Sequence, residues 1–558
     1  MPQATGDAAS RSSHPAEHPP YWAAVDPDLT QEAGETAQAA ELEAAARRPR
    51  GSDQRVIVGQ TGQNVLGLGI GAAATFAAQV IMANQLGETA YGVVTLTTQF
   101  AFIAAAATRF GMDVANIRLV AILVGRDEAG RVRGLVRRSG AIAFLVSVPV
   151  AIVVFALAPW LADTFSTGAG AEEAFRWAAV TIPLAALAFA YMGATRGLKI
   201  MRYTLFAQWI TQPIGWIVLT LALWQVAERT SGIATAAFGA SWAAALAIAY
   251  AGWRREESRL PRAVTGDGIA EERSGSLWRF GALRAPGTLF SQLIFWTDLF
   301  VVGVLFGRAG SDQVGVYSGV LRAGQSLFLF LTSVSLTFSP FVADLHHRGE
   351  RGRLDQLYKQ VTRWTLAATI PVLLVLAVLP ELVLRVFGPE FTTGSDALRI
   401  LIVGMIAPVM VGTVGFILIM AGRTGWDLVV YVGGVVIDVG LALALARPDV
   451  LGIRGAAIAQ AATLTVSAIA RLVLVKRFLG IWPFDASFLR LVIPAVVGAA
   501  AMVGAHGALT DGAWLLDLAG SALAGTVAYV VAMLAVGVTP AERTALRRLV
   551  ARVAGGAR

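Results

Sequence analysis

Long apolar runs separated by short polar connections fill most of the chain. Crossing a bilayer takes about 20 predominantly apolar residues. Runs of that kind lie near 60–86, 90–112, 139–158, 174–195, 205–225, 232–253, 285–306, 314–341, 364–384, 397–421, 427–446, 455–475, 489–508 and 514–537. Backbone N–H and C=O groups cannot face lipid unpaired, so each run predicts a helix. The expected fold class is an all-α polytopic membrane protein of about fourteen transmembrane helices. The segment 1–55 is rich in Ala, Glu, Pro, Ser and Gln. It buries too little apolar area to offset its ordering entropy and predicts a disordered cytoplasmic tail. No apolar run follows a basic start there, so it does not read as a signal peptide.

Charge orients this layout. Lys and Arg gather in every second connection, most densely at Arg118–Arg138, Arg254–Arg284 and Arg348–Arg363. The alternate connections, such as Leu86–Tyr91 and Asp163–Glu173, are short and mildly acidic. Cytoplasmic loops collect positive charge, which puts both termini in the cytoplasm and the chain in a bacterial cytoplasmic (inner) membrane. Composition agrees. The 558 residues are 56% hydrophobic and 15% charged, with mean hydropathy +0.63, where soluble domains carry about 25% charged residues. Loop arginines account for the net charge of +8 without any nucleic-acid partner. With no cysteine, disulfides and thiolate metal sites are excluded.

The pattern repeats. Gly92, Arg126, Pro159 and Phe165 return in order as Gly315, Arg348, Pro380 and Phe387, about 220 residues later. Six spans separate matching helices, so the halves have the same orientation. The expected organisation is a tail (1–55), an N-lobe of helices 1–6 (56–253), a cytoplasmic linker (254–284), a C-lobe of helices 7–12 (285–480), helices 13–14 (481–540) and a basic cytoplasmic tail (541–558). Parallel repeats are a standard construction of secondary transporters, with the site between the repeats.

Three segments carry a family resemblance. LGETAYGVVTL (Leu86–Leu96), DLFVVGVLFGRAGSDQVGVYSGVLR (Asp298–Arg322) and LGIRGAAIAQAATLTVSAIARLVLVKRFLG (Leu451–Gly480) resemble the second, the seventh and eighth, and the twelfth helices of oligosaccharide flippases of the polysaccharide transport family. That family lies within the multidrug/oligosaccharidyl-lipid/polysaccharide exporter superfamily. The similarity runs over roughly 56–540. It implies a two-lobed alternating-access transporter whose cargo is a polyprenyl-diphosphate-linked saccharide. The partners it implies are that cargo, membrane lipid, and polysaccharide polymerases and glycosyltransferases.

Charged residues inside spans are costly and default to functional hypotheses. Five are singled out there: Arg109, Asp298, Arg322, Asp438 and Arg471. Arg109 and Arg471 lie near cytoplasmic helix ends, where snorkelling to headgroups accounts for them. Asp298 and Arg322 sit at similar depth on consecutive antiparallel helices, which predicts an ion pair. Such a pair serves either as a structural clamp or as a device that frees Arg322 for a diphosphate. Asp438, with Asp298, is the candidate for coupling to an H+ or Na+ gradient; the alternative is a neutral Asp bonded between helices. Arg196, Lys199 and Arg284 would make a basic cytoplasmic vestibule, or simply be positive-inside charge. On helix 1, Gln63, Asn64 and Gln79 would face the protein interior, bonding sugar hydroxyls or tying helices together. No phosphate-binding G-x-x-x-x-G-K-[ST] loop, no H-E-x-x-H and no sizeable extramembrane domain is present, so neither a built-in ATPase nor a cofactor is expected.

The leading expectation is a flippase and not an enzyme. A cation-coupled multidrug antiporter of the same superfamily is the alternative, as is a membrane-embedded polysaccharide-assembly enzyme or scaffold. The lack of Asp or Glu in the first six expected spans argues against the antiporter.

Overall fold

The computed structural model describes residues 51–125, 128–165, 168, 170–261, 270–307, 311–347, 349–510 and 512–538. Among them there is no strand; the chain is a succession of helices. The first half supplies α1 (Gly51–Thr108), α2 (Met112–Gly125), α3 (Val132–Ala156), α4 (Ala158–Phe165), α5 (Ala171–Gly197), α6 (Gln212–Leu223) and α7 (Ser231–Glu257). The second half supplies α8 (Ala270–Leu293), α9 (Thr297–Phe306), α10 (Ser311–His347), α11 (Arg351–Val378), α12 (Pro380–Arg385), α13 (Ser395–Val411), α14 (Val414–Met420), α15 (Thr424–Leu445) and α16 (Ile453–Leu479). A hairpin of α17 (Val492–Leu509) and α18 (Trp514–Ala532) follows.

Among the described residues eleven helices are long and apolar enough to cross a membrane, and twelve if the bent pair α8–α9 is one span. One of the eleven, Gly69–Thr108, is 40 residues long. It is interrupted at Gly87, whose φ of 72° and ψ of 174° are open to glycine and not to a side chain. The 37-residue α10 lies outside that set of eleven.

Two expected boundaries move. The first helix already includes Gly51–Arg55, which continue its hydrogen-bonded ladder, so these residues are not tail. The segment 254–284 is not all linker either: α7 runs to Glu257 and α8 starts at Ala270. The rest of the tail (1–50), the tail 541–558, and Arg126 and Arg348 of the repeat lie outside the described residues.

Local chemistry sets several ends. Thr230, extended at φ −112° and ψ 159°, accepts a hydrogen bond from the Ile233 N–H and opens α7. Pro380 occupies the first turn of α12, where its missing N–H is not needed. Pro213 does the same for α6, directly after a π-helical stretch at Leu205–Thr211. That stretch presents the Trp209 carbonyl to Gly71, where a Cβ would come within 2.7 Å of it. Large apolar side chains such as Leu145, Ile152, Leu516 and Leu523 remain exposed around the bundle, as a lipid-facing surface requires.

The two halves meet on α1 and α10. A Cβ on Gly92 would stand 2.7 Å from the Gly315 backbone nitrogen, and one on Gly315 would overlap the Glu88 carbonyl. A second described pair of the repeat, Phe165 and Phe387, is at the same end. Phe165 of the first half packs on Phe300 of the second at 6.1 Å between ring centroids. Phe387 of the second packs on Phe76 of the first at 5.6 Å. Asn84 donates to the Val386 carbonyl at 2.7 Å in the same layer.

Candidate functional site

Helix geometry separates the two residues expected to pair. The span carrying Asp298 is bent by 59° between α8 and α9. Asp298 therefore lies in the first turn of α9, where its Oδ1 accepts from the Leu299 N–H at 2.9 Å. Its Oδ2 accepts from the Tyr317 hydroxyl on α10. Tyr317 and Arg322 are five residues apart, which turns Arg322 about 140° around α10 and away from the carboxylate. The expected Asp298–Arg322 ion pair is accordingly absent.

Asp298 has Asp438 as its neighbour. Both are fully buried, and the Asp298 main-chain N–H reaches the Asp438 carboxylate. Thr463 on α16 lies 3.5 Å from Asp438 Oδ1, while Oδ2 has no hydrogen-bond partner. Gln460, one turn away on α16, donates to the Ile294 carbonyl at the helix break at 3.2 Å, and its own Oε1 is buried without a partner. Two carboxylates, a hydroxyl and an amide oxygen thus surround one polar spot in the second half. Acceptors outnumber donors there, a chemistry suited to a proton or a small hard cation.

Arg322 occupies the interface between the halves. Its guanidinium stacks 4.5 Å above the Trp296 ring, which sits at the break before α9. Its Nε and Nη2 are buried and have no hydrogen-bond partner. From the first half the Tyr91 hydroxyl approaches it. Tyr91 in turn donates to Gln79 Oε1 at 3.1 Å. Gln79, expected to face sugar, is buried and spends that acceptor on Tyr91.

A second group of cations lies towards the other end of the interface. Arg109 pairs with Asp113 at 3.4 Å and stacks 4.5 Å over Phe189. Arg196 faces the same pair. Arg471 pairs with Asp427 at 2.8 Å and stacks 4.4 Å over Tyr431. Half-buried Arg284 of α8 lies between these pairs. A Cβ on Gly111 would be 3.1 Å from its Cβ, and it also faces Tyr431. Arg284 Nε and Arg471 Nη2 are buried without hydrogen-bond partners, and Arg109 Nε has only the Asp113 carboxylate at 3.4 Å. Four guanidiniums against two carboxylates leave an excess of positive charge with unused donors.

Of the expected vestibule, Arg196 faces the Arg109–Asp113 pair and Arg284 packs beside Gly111, while Asp298 neighbours Asp438. Lys199 is exposed on the turn after α5, in a left-handed backbone conformation. The side chains of Gln63 and Asn64 lie outside the described residues. Sequence reasoning left out Arg109 and Arg471, assigned to snorkelling; both point inward onto aromatic rings and carboxylates. Asp113 lies one residue past the expected end of span 2 yet is buried. The first half therefore does hold a buried carboxylate, which weakens the argument drawn from its absence. The signal for the first pair is the closeness in sequence of Arg109 and Asp113, which the turn at Phe110 and Gly111, both at positive φ, folds together.

A family model described as "Polysaccharide biosynthesis protein" matches residues 60–346, and a second, MatE, matches 288–443. No curated protein matches the sequence. Among solved structures, one titled lipid II flippase MurJ, inward closed conformation, aligns with a TM-score of 0.64 at 13% identity, covering 84% of this chain and 97% of that one. An inward-facing multidrug resistance MATE family transporter of the MOP superfamily aligns at 0.61 and 15% identity, covering 73% and 94%. A MOP superfamily transporter from Pyrococcus furiosus, whose title reports a binding pocket of reverse polarity, aligns at 0.54 and 14%, covering 75% and 95%.

Proposed function

The chain belongs to the polysaccharide biosynthesis protein family of membrane transporters, and from that premise we propose that it flips a polyprenyl-diphosphate-linked oligosaccharide across the bacterial cytoplasmic membrane by alternating access. The cationic group of Arg109, Arg196, Arg284 and Arg471 faces the cytoplasm and receives the diphosphate. Arg322 holds it deeper, towards the outer end marked by Gly92 and Gly315. The polyprenyl tail stays in lipid. The lobes 56–253 and 285–480 rock about the interface between them, with both termini cytoplasmic.

The observation that carries this reading is the set of buried guanidinium nitrogens without partners at the interface between the halves. An uncompensated cation there is expensive, and an anionic cargo offsets it. Arginine suits a diphosphate because its planar fork bonds phosphate oxygens bidentately and stays charged. Drug cations would be repelled by the same group. Asp298 and Asp438 supply coupling to an H+ or Na+ gradient, the feature that keeps a cation-coupled antiporter as the second reading.

Flipping in proteoliposomes tests this. A fluorescent polyprenyl-diphosphate oligosaccharide is followed by its access to a membrane-impermeant quencher, with cationic dye uptake run alongside. Protein-dependent flipping is expected. Arg322→Gln should lower it by about ten- to a hundredfold, the worth of one charge-assisted hydrogen bond of about 1.5–3 kcal/mol. Ion-driven dye movement without flipping would select the antiporter instead.

A further inference from the structure

The lipid-facing side of the first half carries a groove that cargo transport does not use. Helices α5 and α7 pack closely, and a Cβ on Gly239 would already stand 2.8 Å from Thr181 Oγ1. The end of α6 forms the remaining wall, and the three helices enclose a groove of about 520 Å³. Pockets that hold small molecules span about 300–1,000 Å³. Trp177, Val180 and Leu184 of α5, Leu223 of α6, and Ala236 and Ala240 of α7 line it. Glu173, in the first turn of α5, is the only charged residue among its walls.

The length of the groove matches one leaflet. Glu173 to Leu184 spans about 16 Å by helical rise. The hydrocarbon core of a bilayer is about 30 Å thick, so the groove runs from the headgroup layer to the middle of the membrane. A helix of a second copy would cross the whole core, whereas a lipid chain ends at the midplane.

The mouth carries charge of both signs that the protein leaves uncompensated. Glu173 rests against Gly232, where a Cβ would overlap its carboxylate, and it takes only the Trp177 indole N–H, at 3.4 Å. Arg229, on the turn that leads into α7, donates to the neutral Gln85 amide oxygen at 2.7 Å. Among the described residues neither of them, nor exposed Glu228, forms an ion pair, while Glu172 next to Glu173 is held by Arg176. Gln85 adjoins the break at Gly87, which sets the mouth at that end of α1. Trp177 is exposed at the same level, as tryptophan is where a bundle meets headgroups.

We propose that this groove binds one phospholipid with a primary-amine headgroup: an acyl chain lies between α5, α6 and α7, the ammonium rests on Glu173 and the phosphate on Arg229. Apolar walls alone do not select a ligand inside a bilayer, because lipid tails are as apolar as leucine. Selection comes from the head, through charge-assisted hydrogen bonds to the carboxylate and the guanidinium. A choline head has no N–H to donate, and a glycerol head has no positive charge to set on Glu173. The site stands apart from the arginines and carboxylates between the halves, so its fate is independent of the cargo.

Native mass spectrometry of the full chain in a mild detergent tests this, with added dioleoyl phosphatidylethanolamine, phosphatidylcholine or phosphatidylglycerol. One phosphatidylethanolamine should stay bound under activation that strips the other lipids. Its affinity should exceed that of either competitor by about tenfold, the worth of one charge-assisted hydrogen bond. Glu173→Gln should erase the preference over phosphatidylcholine, and Arg229→Gln should weaken both. Ala240→Phe, at an exposed position of the groove, should lower retention by about tenfold by filling the space of the chain. Val436→Phe, on the exposed face of α15, should leave it unchanged. Size-exclusion elution reports folding, and Ala236→Leu serves if Ala240→Phe does not fold. The proposal is overturned if the parent retains no phosphatidylethanolamine or holds phosphatidylcholine equally well, or if the filled groove still holds the lipid. A doubled mass in the parent that Ala240→Phe abolishes would also overturn it, and would assign the groove to a second copy of the chain.

Discussion

Arg109, Arg322 and Arg471 each have an aromatic ring beneath them, and only two of the three have a carboxylate beside them. Arg109 and Arg471 are paired; Arg322 has Trp296 and Tyr91 but no anion. This difference separates structure from readiness to bind. The Arg471–Asp427 pair is nearly buried, with side-chain exposures of 14% and 6%. Breaking such a pair leaves a lone charge and costs about 3–5 kcal/mol, while replacing both partners with apolar groups is often neutral. Asp427→Asn should therefore lower the melting temperature in detergent clearly, and Asp427→Leu with Arg471→Met should restore most of the loss. Arg322→Met should not lower it, because no partner is orphaned; a drop as large as that of Asp427→Asn would mean that Arg322 is a structural cation. The sequence singled out Arg322, Asp298 and Asp438 because charge in an apolar run is conspicuous. It did not reveal who faces whom. A rotation of 140° along α10 decides that Asp298 meets Tyr317, and only the bend before Asp298 brings it to Asp438.

The break between α8 and α9 shows what pattern alone misses at the scale of an element. The apolar run is continuous, and Pro286 is the residue that suggests a kink. The bend falls instead at Ile294–Trp296, eight residues beyond it. Tertiary partners explain this. An interrupted helix exposes carbonyls that must find donors, and Gln460 of α16 supplies one to Ile294. Asp298 then accepts the Leu299 N–H at the new N-terminus, where negative charge is favoured. Gln460→Leu removes the donor and leaves a buried carbonyl unsatisfied, a loss of about 1–3 kcal/mol. It should lower thermal stability and, by loosening the bend next to Asp298 and Asp438, reduce the response of flipping to an imposed ion gradient. Flipping driven by the gradient to the full parental extent would show that the bend is held by other contacts. By contrast the break at Gly87 falls inside the expected Leu86–Tyr91 connection, and its positive φ is one that glycine alone takes readily.

At the scale of the molecule, the repeat was the most informative signal in the sequence. It relates Gly92 to Gly315 and Phe165 to Phe387, and in the structure Gly92 lies against Gly315 while Phe165 and Phe387 each reach across to the other half. The hairpin α17–α18 has no counterpart in the repeat, and its attachment could not be read from apolar runs. It is fastened to α11 of the second half. The Tyr529 hydroxyl donates to the Ala367 carbonyl at 2.7 Å, and buried Arg363 reaches the carbonyls of Ser487, at 3.4 Å, and of Gly537. If the halves rock as bodies, the hairpin travels with the second one, and joining it to α11 should cost nothing. The absence of native cysteine permits a direct comparison. Ala367→Cys with Tyr529→Cys, bridged by a short bifunctional thiol linker, should flip substrate as fast after linking as before. Asn84→Cys with Val386→Cys joins the halves across the outer seal, where Asn84 now bonds Val386, and linking it should abolish flipping reversibly. Reading each variant before and after linking separates the tether from the substitution. Loss of flipping on linking the hairpin would mean that α17–α18 moves against α11, and would make the appended helices a third moving part instead of a passenger.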